Sequence, residues 1–568
     1  MNTFRIDYGP AIEGSIREIE AAIETAPAVA AVFPARWLAL ELLENGDDIR
    51  RRLSEIDGGH AVVAAAALAY RTLVVEFGET APVAVAGARY DWIHEVTKLA
   101  TVGKSGTQWS RSDQVDRVLT HPIAGLGFFL FALWAVFKLT ADVATFFLDW
   151  IDAVVNGPIA RWVASLVGGI GLGGGWVEDL MVSGVVAGVG GILVFLPVLL
   201  SLYLALAVLE DSGYMARGAL VMDRLMRRLG LPAKSFLPML VGFGCNVPAI
   251  YATRTLERPR DRILTGLLVP FMSCGARLPV YVLMAAAFFP ARRGFVVFSM
   301  YVLGVLVALA VGSVVGRTVL PSESTVPLLL ELPPYRRPTW RSVWFHTWVR
   351  TKAFVKDAGT VILGTSIILW LLLAMPAGGS GRFGDTPIED SVFGRTTDVL
   401  APVFAPAGFG SAEATGALVT GFVAKEVVIS SMAQLYGTGS DGEVEDPSLA
   451  SDLREIGTGF GSAVRNTILA VPGIVGIDLV ESDTEQSDDG LLAAVRQGFD
   501  DSSGGHGALA ALAFCVFVLL YTPCVAAVAA ARRELGPRWM WTSVIGQTAL
   551  AWIMAVGVFQ IGRAAGIG

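Results

Sequence analysis

The chain has 568 residues, of which 54% are hydrophobic and 17% charged, with a formal net charge of −8. This balance, with a mean hydropathy of +0.58, excludes an ordinary soluble globular protein. The lack of a basic stripe with interleaved aromatics excludes a nucleic-acid binder, and four cysteines that all fall in apolar windows (245, 274, 515 and 524) exclude a secreted disulfide scaffold.

Residues 1–104 read as a small cytoplasmic α-helical domain. Helical periodicity marks 12–23 and 36–53, and in the second of these Trp37, Leu40 and Leu43 are expected on one face. Stretches 61–75 and 88–99 read as two further helices. The N-terminus has no apolar signal-peptide core, so the first membrane helix is expected to direct insertion. Gly103-Lys104-Ser105 imitates the end of a phosphate-binding loop, but the first glycine of that motif would fall at Lys98, and no strand leads into it. It reads as a linker.

The rest is an all-α, polytopic helical membrane protein. Windows 186–209, 294–316, 508–531 and 540–562 contain no Asp, Glu, Lys or Arg, and 263–290 contains only Arg277. Each is long enough to cross a bilayer, which takes about 20 residues. Window 358–375 is shorter and uncharged, and 123–151 is interrupted by Lys138, Asp142 and Asp149. The expected divisions are a linker and first membrane helix (105–185), a first gate-like repeat (186–293), and a core helix with a basic cytoplasmic segment (294–356). A second gate-like repeat (357–531) follows, with an acidic polar loop at 437–507, and then a C-terminal membrane helix (532–568). That loop holds fourteen Asp and Glu against three Arg, and its composition predicts partial disorder.

Within the first repeat, Gly242-Phe243-Gly244-Cys245-Asn246-Val247-Pro248 interrupts an apolar run. Gly242, Gly244 and Pro248 are helix breakers. Backbone broken at membrane depth is tolerated only where protein or a watery cavity satisfies it. Cys245 and Asn246 are therefore candidates to line a path; the plainer alternative is a kinked packing helix. Basic residues flank the stretch on both sides, Arg217 to Lys234 before it and Arg254 to Arg262 after it. Positive loops favour the cytoplasm, so a re-entrant segment with both ends inside is expected.

Pro270 to Pro279 is a second dense motif. Arg277 in an apolar run must be paired or face an aqueous cavity. Met272, Ser273 and Cys274 offer soft and hydroxyl ligands, and Pro279 joins them as a path-lining or gating candidate; small residues at 273, 275 and 276 would equally serve close helix packing. Farther on, Gly421-Phe422 precedes Lys425 and Glu426, which either neutralise one another or place Glu426 on a cation path. Thr522, Pro523 and Cys524 interrupt the following helix. Cys515 lies nine residues before Cys524, on the opposite face of a straight helix, and reads as packing. The two broken segments, facing opposite ways, predict an inverted-topology repeat. Thiols in broken segments point to a transition-metal cation.

At these residues the chain resembles the FeoB family of ferrous iron transporters. The matching blocks are Glu210 to Arg217, Lys234 to Pro248, Met272 to Tyr281, Gly421 to Val427 and Tyr521 to Cys524. Ser112 to Pro122 is similar to the family's entry to its first membrane helix, and residues 6–100 to its helical domain, with Arg36-Trp37-Leu38-Ala39-Leu40 as a landmark. The resemblance implies Fe²⁺ as transported substrate, no permanently bound cofactor, and Cys245, Cys274, Cys524 and Glu426 as candidate metal contacts. It also implies a multi-pass protein of the plasma (inner) membrane with its N-terminal domain in the cytoplasm. Proteins of that family begin with a GTP-binding domain; this sequence starts about where that domain would end. A separate GTPase subunit is therefore the expected partner, beside the lipid bilayer and a possible homo-oligomer. A nucleoside or small-solute permease and a membrane anchor for a GTPase are the competing readings.

Overall fold

The computed structural model describes residues 6–44, 47–78, 80–100, 111–121, 123–321, 335–377, 382–384, 386–425, 427–436, 449–470 and 489–566. The chain divides into two compact units, Met1–Gln108 and Trp109–Gly568. Glu426 and the segment 103–105 lie outside the described residues.

The first unit packs α1 (Pro10–Glu24), α2 (Ala35–Glu44), α3 (Gly59–Phe77) and α4 (Ala81–Ala100) around one core. Ile12, Ile16, Ile19 and Ile23 recur at helical spacing and are fully or almost fully buried. In α2 the buried face is Leu38, Ala39, Leu42 and Leu43 rather than the expected Trp37, Leu40 and Leu43. The pairs 38/42 and 39/43 build a wider apolar stripe, and Trp37, 48% exposed, stacks on Phe33 at the surface.

The second unit opens with α5 (Arg111–Leu119) and α6 (Ala124–Val154). Helical chain continues to Leu172 and turns at Gly171 and Gly174, both at positive φ. It comes back through the short helix Trp176–Asp179 into α7 (Leu196–Asp211). From α7 onward one order of elements occurs twice. The first copy runs through α8 (Tyr214–Arg228), the short helices α9 (Phe236–Gly244) and α10 (Asn246–Ala252), and a spanning helix broken into α11 (Pro259–Leu268) and α12 (Leu278–Phe288). It ends in α13 (Arg293–Thr318). The second begins with α14 (Trp340–Ala374), followed by α15 (Val392–Phe404) and the short helices α16 (Ala412–Val423) and α17 (Val427–Leu435). The acidic segment is inserted here; its described part forms α18 (Leu449–Ala470) and α19 (Asp489–Ser503). The broken span α20 (Gly507–Leu520) and α21 (Val525–Leu535) and then α22 (Pro537–Ala564) complete the copy.

The copies agree in backbone detail. Cys245 stands between α9 and α10 at φ −152°, ψ 131°, and Ala424 follows α16 at φ −147°, ψ 128°. Cys274 (φ −75°, ψ 160°) precedes the second half of the first broken span, as Cys524 (φ −54°, ψ 156°) does in the other. None of the halves α9, α10, α16 and α17 exceeds 12 residues. At about 1.5 Å per residue that is about 18 Å, short of a bilayer core of about 30 Å. Each pair packs on itself as a hairpin.

Eight described helices are long and apolar enough to cross a membrane, one of them α3 of the first unit. One boundary departs from expectation. α14 begins at Trp340, so part of the expected basic loop is helix; hydropathy marks only the apolar part of a helix that continues into charged turns. Along that extension Trp340, Trp344 and Trp348 form an exposed stacked ladder. In the acidic segment, of which 437–448 and 471–488 lie outside the described residues, α18 is docked: Arg161 donates to the almost fully buried Asp452 (2.5 Å), as does the Trp162 indole (2.8 Å).

Candidate functional site

At the first break the chain leaves α9 because Gly242 and Gly244 allow close approach on both sides. A Cβ at Gly242 would sit 3.1 Å from the Met272 Cβ, and one at Gly244 would press on Leu202 of α7. Cys245 is extended and half-buried, and Pro248 occupies the first turn of α10, where no intrahelical donor is needed. Asn246 is buried. With its amide oriented to satisfy its neighbours, the nitrogen donates to Gly242 O (3.1 Å) and Val269 O (3.3 Å). It thus fastens the hairpin to the broken span behind it.

That span opens between Leu268 and Leu278. Met272 and Cys274 are buried and extended there. The Ser273 and Tyr281 hydroxyls share a hydrogen bond of 3.2 Å, and Pro279 lies in the first turn of α12. Arg277 is fully buried. Its Nη1 donates to Pro270 O (3.1 Å) and Met272 O (3.5 Å), carbonyls freed by the break, while Nε and Nη2 have no hydrogen-bond partner among the described residues. The guanidinium replaces intrahelical bonds that the break removed.

The second copy solves the same problem with other groups. Lys425 is 2% exposed; its Nζ donates to Thr522 O (3.0 Å) and lies 2.8 Å from the Tyr521 ring centroid. Thr522 in turn donates to Val544 O (3.0 Å) and meets Thr548 Oγ1 (2.8 Å), which ties it to α22. A Cβ on Gly421 would collide with Val428 and come within 2.8 Å of the Tyr521 hydroxyl. Pro523 and the half-buried Cys524 complete the break. Cys515 is 1% exposed in the apolar core.

The two copies meet. α10 packs on α21, and Arg254, just beyond α10, donates to Glu534 of α21 (2.6 Å). Cys245 and Cys524 pack against one apolar cluster with Val247, Val269 and Ala526. Tyr521 packs in one apolar cluster with Met272 and Tyr281 of the first copy. Among the described residues no three His, Cys, Asp or Glu side chains gather closely enough to hold a metal together. The thiols are distributed along the broken elements.

One network was not foreseen from sequence. Arg217 counts there as a topology charge, yet it is 1% exposed. It donates to both Asp116 oxygens (3.0 and 3.1 Å) and to Gly213 O (2.8 Å), and lies 4.1 Å from the Tyr335 ring centroid; Tyr335 donates to Asp116 at 2.6 Å. The Arg217 guanidinium holds the Asp116 carboxyl below the usual carboxylate range, against the opposing effect of burial, with the Tyr335 hydroxyl adding to it. The signal was the spacing from Tyr214, which places Arg217 on the buried face of α8.

Paired hairpins, paired broken spans and several spanning helices define a multi-pass membrane protein of gate type. Family comparison agrees in each part. Residues 192–288 and 355–538 match the Gate family, described as nucleoside recognition. Residues 297–350 match the ferrous iron transport protein B C terminus, and 8–102 the FeoB cytosolic helical domain. The Fe(2+) transporter FeoB of Staphylococcus aureus (strain MSSA476) is 33% identical over 565 residues, covering 99% of this chain and 75% of that protein. A Porphyromonas gingivalis protein named Fe(2+) transport protein A/Fe(2+) transporter FeoB fusion protein is 33% identical over 98% of this chain and 64% of its own length. The Fe(2+) transporter FeoB of Legionella pneumophila (strain Lens) is 36% identical over 84% of this chain and 63% of its own length. The chain thus spans less than two thirds of the last two relatives. No solved structure matches it. The chain belongs to the FeoB family.

Proposed function

We propose that this chain is the permease of a ferrous iron uptake system in the inner membrane, with Fe²⁺ passing between its two gate-like copies. The observation that carries this reading is the meeting of the copies. Cys245 and Cys524 share one packing cluster, and the Cys274 break lies behind the first hairpin. Conduction needs contacts strong enough to admit an ion and weak enough to release it. Single thiols in sequence serve that need better than a closed centre, and thiolate suits Fe²⁺ better than Mg²⁺ or Ca²⁺. Glu426 follows Lys425 and adds a carboxylate to the second copy in this reading. A separate GTPase acts on the helical first unit and sets the gate.

The test is ⁵⁵Fe²⁺ uptake into proteoliposomes under anaerobic reductant. Wild-type uptake that falls in Cys245→Ser and in Cys274→Ser supports the reading. Unchanged uptake in both removes the thiols from the path. Competition by nucleosides would transfer the site to another substrate class, and absence of flux with retained GTPase binding would leave a membrane anchor.

A further inference from the structure

Beside the second hairpin lies a cavity of about 230 Å³, lined among others by Asp179, Ser183, Trp370, Thr420, Ser431 and Gln434. It runs from the exposed Gln434 to Thr420 and Ser431, which are 6% and 7% exposed. Thr420 lies one turn before the break at Ala424. The Asp179 oxygens accept from the Ser183 hydroxyl and the Trp370 indole, both at 2.7 Å. Each oxygen retains a lone pair for a further contact.

The corresponding place in the first copy is different. There α7 stands for α14, α8 for α15 and α9 for α16. The space between them is lined by Phe129, Leu202, Leu206, Tyr214, Phe236 and Leu240 and measures about 20 Å³. That is room for a single water, with an apolar lining that gives a water almost no partner. Of these two spaces, the one beside the hairpin that leads into the acidic segment is wide and carries polar side chains, and the one beside the hairpin flanked by basic segments is narrow and apolar.

We propose that the Asp179 cavity is an entry site that receives a divalent cation with its water shell. This rests on the transport reading and deepens it. The cavity has room for several waters, enough to keep a cation hydrated. Its donors are a carboxylate, hydroxyls and an amide, the oxygen set that hydrated divalent cations prefer; the sulfur donors lie deeper, at the breaks. Oxygen ligands thus meet the ion before it sheds water, and thiols afterwards. Asp179 supplies the charge, and Trp370 and Ser183 hold its orientation.

The experiment titrates the full chain in detergent with Mn²⁺, a paramagnetic divalent cation. The readout is the Trp370 share of the fluorescence, obtained by difference from Trp370→Phe. Saturable quenching of that share is expected. In Asp179→Asn, which removes the charge, keeps an acceptor for the Trp370 indole and reverses the Ser183 contact so that the amide donates to the hydroxyl, the half-quenching Mn²⁺ concentration should rise roughly tenfold. Asp179→Glu, which keeps the charge, should stay near wild type and guards against a folding artefact in the asparagine variant. No quenching of the Trp370 share, or equal quenching in Asp179→Asn, overturns the proposal. Binding is read without flux, so a chain that binds Mn²⁺ here and fails to move ⁵⁵Fe²⁺ refutes the transport reading alone.

Discussion

At the tip of the first hairpin stands Cys245, followed by the amide of Asn246; at the tip of the second stands Ala424, followed by the ammonium of Lys425. The backbone angles are nearly the same and the task is the same. In each copy the residue after the tip donates a nitrogen to a carbonyl of its own broken span, Val269 O or Thr522 O. What differs is the chemistry left over. The first copy has a thiol at its tip and carries its buried cation, Arg277, on the span. The second has a methyl group at its tip and carries its buried cation on the hairpin. One backbone solution therefore presents a thiol on one side and a fixed positive charge on the other.

The largest expected effect comes from erasing that difference. Cys245→Ser should reduce ⁵⁵Fe²⁺ uptake by roughly tenfold or more, as loss of a metal contact does, while Ala424→Ser should leave it near wild type. Equal losses in both would mean that the tips matter for shape and not for sulfur.

The next effect concerns stability. Gly421→Ala would drive a methyl into the stiff β-branched Val428 and the Tyr521 hydroxyl, an overpacking cost of about 1–3 kcal/mol. Gly242→Ala meets the Met272 Cβ at 3.1 Å and Val269 O at 3.4 Å, tight contacts without a collision, and should cost less than Gly421→Ala, about 1 kcal/mol. Thermal unfolding in detergent ranks the two; a reversed order would break the packing account of the hairpins.

Asp116→Asn should have a comparable or smaller effect, about 1–2 kcal/mol, through loss of charge-assisted bonds to Arg217. The folded carboxyl titrates below its usual value. Its contribution is therefore complete above about pH 4 and is lost as pH falls through the lowered value. The difference between wild type and variant should be the same at pH 5.5 and pH 7.5. A difference that shrinks over that interval would show that Asp116 does not pair as described.

The smallest effect is expected from Lys425→Gln. It retains a donor for Thr522 O and should keep uptake within about threefold if the nitrogen acts as a fastener. A loss as large as that of Lys425→Leu would mean that the charge itself is needed.

The breaks were legible in the sequence because glycine, proline and a lone charge stand out in an apolar run. The repeat was legible because basic flanks surround one broken segment and an acidic stretch follows the other. Other features left no such mark. The buried face of α2 depends on which neighbours it meets, and Trp37 found a stacking partner instead of the core. Arg217 looked like a surface charge because its partners lie at positions 116 and 335, far off in the chain. Asp179 and Ser183 fell before the first uncharged window, in what read as a linker. Their cavity exists only where α14 and the second hairpin pass beside them. The need for glycine at 421 comes from Val428 across the hairpin and from Tyr521, a hundred residues on.

The tryptophan ladder at the start of α14 bears on how the second copy can move. The helix has 35 residues, about 52 Å, against about 30 Å of hydrocarbon. Indoles at headgroup level resist displacement along the membrane normal. A ladder seated at that level would make its end of the helix a fulcrum, and the opposite end, where Trp370 donates to Asp179, the tip of a lever. A tilt about an end held in this way would be magnified along the length of the helix, and the wall of the cavity would move more than the anchored end.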